Sequence, residues 1–166
     1  MTMYVPSTFT CIVFQHVVLA ISRSKNDNTV VYRARTQNHH FIESEAIEVY
    51  WMGFSRKDPH ASLDKLRDEL SWIEKKIAYG ATAHRHGHVG DEYEVKLVAV
   101  PSLKTVMKYH GDRVRLTGTL GGRTSYITRV YVMAKENFVG LPTVIFVNIH
   151  GIDIETGEEI VEKISP

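Results

Sequence analysis

One stretch of this chain carries a helical repeat, and nearly everything on either side of it alternates at period two. Within residues 63–80, Leu63, Leu66, Leu70, Ile73 and Ile77 recur at spacings of three and four, which places them on one apolar stripe. Asp58-Pro59, or Ser62 one turn later, supplies a start, and Lys75 and Lys76 followed by Gly80 supply a stop. Ser71 stands three residues before Glu74, the spacing of a capping box, so a bend or restart is expected just after Leu70. A helix with one apolar face must lie on something, and the rest of the chain offers a sheet.

Residues 9–21 and 29–35 are rich in β-branched and aromatic side chains, and flank a polar turn at 22–28, which predicts a first hairpin. Residues 36–44 read as a polar loop carrying His39 and His40, residues 47–54 as a third strand, and residues 81–90 as a loop. Strands are then expected at 92–100, 105–110, 113–119, 124–135, 143–154 and 159–164, with turns at Gly111-Asp112, Gly121-Gly122 and 155–158. The expected class is α+β, mainly β. A single domain over 1–166 would hold antiparallel sheet in a sandwich or barrel-like structure of about nine strands, with one main α-helix packed on it.

The Gly121-Gly122 hairpin carries a conflict. A two-residue loop pairs Leu120 with Arg123, and carried onward that register puts Arg113 beside Val130 on one face. Either a bulge shifts the register, or part of the hairpin is covered on both sides.

Net charge is +1, so no global field draws the chain to nucleic acid or an anionic membrane. Residues 104–135 nevertheless hold seven Lys or Arg against Asp112, and residues 136–166 hold six acids against Lys163; neutralisation between neighbouring strands is the simplest account. Cys11 is the single cysteine, which excludes an internal disulfide and a cysteine-only zinc site. The longest apolar run, 17–21, is too short to span a bilayer, and no basic segment leads into an apolar one near residue 1, so a cytoplasmic protein is expected. Hydrolase elbow, phosphate-loop, dinucleotide and zinc-protease signatures are all missing.

Three groups of residues have the chemistry to carry a function. Arg23 and Lys25, set among serines with Asn26 and Asn28, could hold a phosphate or carboxylate, with Arg33 and Arg35 following on the next strand. The bland alternative is a hairpin turn in which Arg23 pairs with Glu74 or Glu69. Tyr32, Tyr50, Trp51, Phe54, Trp72 and Tyr79 could line a cavity between helix and sheet, although aromatics more often fill cores; their polar tips call for one internal hydrogen-bond network with Arg23 or Asn28 as partner. His84, His86 and His88, with Asp91, offer ligands for a divalent metal if the alternate histidines converge. Gly87 and Gly90 argue instead for an exposed loop.

Ser22-Arg23-Ser24-Lys25-Asn26 with Asn28, then Val30-Val31-Tyr32, Val49-Tyr50-Trp51, and Leu70-Ser71-Trp72-Ile73-Glu74 with Ala78-Tyr79-Gly80, resembles an uncharacterised family, the domain of unknown function four-eight-three-three. The resemblance implies a β-rich domain of this size and brings no established activity, cofactor or catalytic residue. Many relatives are exported, whereas no export signal is read here.

The leading expectation is a binding or interaction module for a small, anionic ligand, without catalysis, in which Arg23, Lys25, Asn26, Asn28, Tyr32, Trp51 and Tyr79 form the site. The alternatives are a metal-assisted hydrolase at His84, His86, His88 and Asp91, and a nucleic-acid binder using the basic 104–135 hairpins with Tyr109, Tyr126 and Tyr131 as stacking surfaces. Balanced charge weighs against nucleic acid, no membrane partner is expected, and the chain would be a monomer or a homodimer formed by edge pairing.

Overall fold

The computed structural model describes residues 16–24, 26–53, 67–87, 91–136 and 142–166. Eleven strands form one mixed sheet: β1 (Val17–Arg23), β2 (Asn26–Ala34), β5 (Ile47–Met52), β6 (Arg67–Glu69), β7 (Ala81–Arg85), β8 (Tyr93–Leu97), β9 (Thr105–His110), β10 (Arg113–Leu120), β11 (Arg123–Glu136), β12 (Pro142–Asp153) and β13 (Glu159–Ile164). A separate small hairpin joins β3 (Thr36–Gln37) to β4 (His40–Phe41), where a wholly irregular loop was expected.

The C-terminal meander follows local chemistry. Tyr93, Val95 and Leu97 are buried while Glu94 and Lys96 point away, the alternation expected of a strand with one covered face. Gly121 and Gly122 both take positive φ, as a two-residue primed turn needs, and Leu120 pairs with Arg123. The register conflict is resolved within β11 itself. Pairing with β10 runs only to Thr117–Tyr126; a register shift against β12 then falls between Ile127 and Arg129, after which Val130 and Val132 are again buried.

Beyond that bulge β11 changes neighbour. Ala20 to Arg23 of β1 pair in parallel with Arg129 to Val132, so an all-antiparallel sheet is not what forms. Since β12 occupies one edge of β11 along its length, β10 and β1 divide the other edge between them. Ser24 extends the junction: its amide donates to the Val132 carbonyl at 3.0 Å, while its hydroxyl donates to the Ala134 carbonyl and accepts from the Ala134 amide, each at 3.0 Å.

The expected long helix is corrected. Of residues 63–80, the described part begins with Arg67–Glu69 as a strand paired to β5, and only α1 (Trp72–Glu74) and a π-helical turn (Lys75–Tyr79) are helical. The capping box at Ser71 and Glu74 is formed, and it starts the helix where the restart was expected. Leu63 and Leu66 lie outside the described residues, and the rest of the apolar stripe is not laid whole on the sheet. Leu70 is buried at 4% exposure, but Ile73 and Ile77 are 47% and 71% exposed. Residues 81–85, read as loop, instead pair with β8.

Along the main path the order is β6-β5-β2-β1-β11-β10-β9-β8-β7. Near its two ends β5 and β7 approach one another, yet no hydrogen-bonded pair closes the sheet among the described residues. Side chains from β1, β2 and β8 to β12 share one core, with Leu19, Ile21, Tyr32, Leu116 and Ile149 nearly inaccessible. Each such aliphatic side chain contributes about 1.5–3 kcal/mol by burial. A smaller cluster of Val31, Tyr50 and Met52 lies on the opposite face of β2 and β5, as strand alternation demands.

Candidate functional site

At one end of the first hairpin, four of the residues singled out in the sequence come together from separate elements. Tyr32 on β2 and Trp51 on β5 face the main core, and the π-turn carries Tyr79 against them. The buried Tyr32 hydroxyl donates to the Tyr79 carbonyl at 2.7 Å. Burial, and secondarily the Tyr79 phenol, push the Tyr32 hydroxyl well above its ordinary range, so it acts as a fixed donor. Tyr79 meets Trp51 edge-on, with ring centroids 5.2 Å apart.

Arg23, the last residue of β1, lies over the Trp51 ring at 5.5 Å and donates to the Tyr79 hydroxyl at 3.3 Å. The Trp51 indole N–H is taken in turn by Glu74 Oε1 at 3.2 Å. Glu74 Oε2 accepts from the Ser71 hydroxyl and the Ser71 amide, each at 2.8 Å. Those two hydrogen bonds lead in holding the Glu74 carboxyl below its usual range, with the indole N–H and Arg23 adding to them. The expected internal network is therefore present, with Arg23 as its cation. The anticipated Arg23–Glu74 pair is indirect: Trp51 stands between the two.

Gly80 makes this arrangement sterically specific. An added Cβ would stand 1.9 Å from the Lys75 carbonyl oxygen, so the π-turn that delivers Tyr79 is closed by a residue that cannot carry a side chain there.

Lys25 and His88 lie outside the described residues, as does Phe54, and of Asn26 and Asn28 only the backbone is described. Asn26 pairs with Arg23 at the tip of the hairpin. Arg33 pairs with Val17 at the other end, so Arg33 and Arg35 are parted from the Arg23 turn. His84 is on β7, and the His86 amide donates to the Glu92 carbonyl at 2.8 Å. Asp91 turns elsewhere, accepting from the Phe41 amide at 3.0 Å and standing 3.6 Å from His40 Nδ1. Among the described residues, no three His, Cys, Asp or Glu gather as a metal set.

The basic hairpins do not present all three tyrosines on one face, since only Tyr126 and Tyr131 alternate with the buried residues of β11. Tyr109 packs inward on Phe41 at 5.6 Å, whereas Tyr126 is on the other face, against His110. Part of the basic excess is neutralised across strands as expected: Arg123 meets Asp153 and Glu158, and Arg129 and Glu159 both contact His150. Between β5 and β7 a cleft of about 530 Å³ is lined by Arg67, Lys75 and Lys76 together with Glu45, Glu48 and Glu69, so it has no strong sign of charge. No helix among the described residues is long and apolar enough to cross a membrane, which says nothing of a strand-built span.

Glu74 was legible as a cap and as a carboxylate for Arg23, but nothing local in the sequence placed it on the Trp51 indole. His16 and Arg67, which line one groove on the opposite face of β2 and β5, carried no signal beyond their charge.

A mixed, β-rich domain with one arginine-aromatic network at its N-terminal hairpin is thus the class that the geometry defines. A family model described as Domain of unknown function (DUF4833) matches residues 19–163, and the chain belongs to that family. Neither a curated protein nor a solved structure matches it.

Proposed function

We propose that the protein is a small-ligand binding module without catalysis, and that its ligand presents a carboxylate to Arg23. One observation carries this reading: the guanidinium is set over Trp51 and steadied by the Tyr79 hydroxyl, yet among the described side chains, which do not include that of Asp27, no carboxylate lies within ion-pairing distance of it. A guanidinium has five N–H donors in a fork that matches a carboxylate, and its contact with Tyr79 uses one nitrogen. Stacking holds that fork in place before a ligand arrives, which lowers the ordering cost of binding. The same cluster contains the ionised Glu74, so a monoanion or zwitterion suits it better than a dianion. Trp51 and Tyr79 would give the ligand an aromatic wall, and Asn26 sits beside Arg23 at the turn. We read the curled sheet as a barrel-like frame with this cluster at one mouth, a reading supported by the approach of β5 to β7.

The test is Trp fluorescence during titration with a panel of small mono- and dicarboxylic acids and amino acids at low ionic strength. A saturable change that disappears in Arg23→Gln supports the proposal. A panel that leaves the emission unmoved, or a response that persists in Arg23→Gln, refutes it.

A further inference from the structure

A second cationic groove lies on the opposite face of the first hairpin and at its other end. Strand alternation puts Arg33 of β2 and Glu48 of β5 on the same face as Val31 and Tyr50, away from the main core. Arg67 of β6 pairs with Met52 and lays its guanidinium over the Tyr50 ring at 4.3 Å. With His16, Arg35 and Thr36 these residues line a groove of about 330 Å³ holding three guanidiniums and one carboxylate. From Arg23 to the level of Arg33 the strand runs roughly 20 Å, so the groove is separate from the Arg23 cluster.

The carboxylate does not saturate its partners. Glu48 gives one oxygen to each neighbour, Oε1 at 3.5 Å from Arg33 Nη1 and Oε2 at 3.1 Å from Arg67 Nη2, so neither guanidinium makes a two-point contact. Arg35 is drawn off to Glu45. His16 contributes a further unmet group: its Nδ1 is closed to solvent and has no hydrogen-bond partner among the described residues, while Nε2 stands 3.4 Å from the Thr36 hydroxyl. Forked donors from two separate strands fit a tetrahedral oxyanion better than a planar carboxylate, because it offers oxygens in several directions at once.

We infer that this groove is a second binding site, and that it takes the phosphate group of a small molecule between Arg33 and Arg67. The phosphate takes over the guanidinium contacts that Glu48 now shares, so Glu48 competes with the ligand.

The experiment is a ¹⁵N NMR titration of the full chain with inorganic phosphate and, separately, with glycerol 3-phosphate at low ionic strength. Saturable shifts at residues 33–36 and 67 are expected, weakened about tenfold or more in Arg33→Gln and in Arg67→Gln, and unchanged in Arg23→Gln. Glu48→Gln should tighten binding severalfold, which a merely structural ion network does not predict. Equal affinity for the two probes assigns the site to free phosphate, and tighter binding of the ester assigns it to a phosphorylated metabolite. Absence of saturation by about 10 mM of either probe, or binding that survives in the Arg33→Gln/Arg67→Gln double variant, overturns the inference. Should the double variant not fold, a Glu48→Gln protein that binds no tighter than wild type overturns it as well.

Discussion

Arg23 lies over the Trp51 ring at 5.5 Å, and Arg115 lies over the Tyr126 ring at 5.1 Å, so the bare contact recurs in the two halves of the molecule. Their settings differ. Arg115 stands opposite Lys108 in the register of β9 and β10, and Tyr126 is tied to His110 at 3.2 Å, a residue of the same meander. Around Arg23 the partners come from β5 and the π-turn, and the indole is held from behind by Glu74. A cation over a ring is a common surface contact worth about 0.5–1 kcal/mol where exposed. The Arg23 cluster is distinguished by an acidic anchor drawn from a separate element and by the lack of a like charge across the strand.

Five substitutions would break or sharpen that contrast. Gly80→Ala should cost the most: the backbone must shift to relieve the 1.9 Å contact with Lys75, a strain of about 1–3 kcal/mol or more, and Tyr79 moves with it. Its counterpart in the meander, Gly118→Ala, meets the Lys104 carbonyl at 3.1 Å and should be milder in the same thermal melts. Equal losses in the two would deny the π-turn its special role. Tyr32→Phe comes next. It leaves the Tyr79 carbonyl without its donor and should cost about 1–3 kcal/mol by urea titration.

A smaller effect is expected from acid. Glu74 is held below its ordinary pKa of 4.5 in the folded chain, so its stabilisation is complete above that value and is lost as pH falls through the lower, folded one. Glu74→Gln should flatten that part of the stability profile. An unchanged acid limb would show that the Ser71 contacts do not persist in solution. Arg115→Gln should matter least, within about 0.5 kcal/mol, since Lys108 across the strand is of like charge and offsets the contact with Tyr126. A larger loss there would erase the distinction between the two arginines.

Legibility in the sequence followed the range of the interactions. Gly111-Asp112 and Gly121-Gly122 mark turns whose flanking strands pair with their immediate neighbours, so the meander could be read residue by residue. The stretch 63–80 could not. Its three-four spacing is real, but Arg67–Glu69 finds a strand partner in β5, and the Ser71–Glu74 box begins the helix only afterwards. Residues 81–85 pair with β8 although Ala81, Ala83 and His84 carry little strand signal. The parallel pairing of β1 with β11 is invisible locally, and the failed face separation around Arg113 and Val130 was its only trace. In the candidate site, Arg23, Tyr32, Trp51 and Tyr79 were identifiable because aromatic residues and an arginine in strands call for mutual partners. Glu74 behind the indole depends on how the short helix sits against β5, which no spacing rule supplies.

The divided edge of β11 has a consequence for assembly. Its pairing with β10 closes a two-residue turn, whereas its pairing with β1 joins residues about a hundred positions apart. The second closure carries the larger entropic cost, so the N-terminal hairpin should dock late on a meander already formed, and should also be the first to detach. Hydrogen exchange faster in β1 and β2 than in β9 and β10 would be its signature, and uniform protection would contradict it. The Arg23 cluster would then belong to the least secured part of the molecule, where any occupant acts as a clasp between two halves that the chain itself joins last.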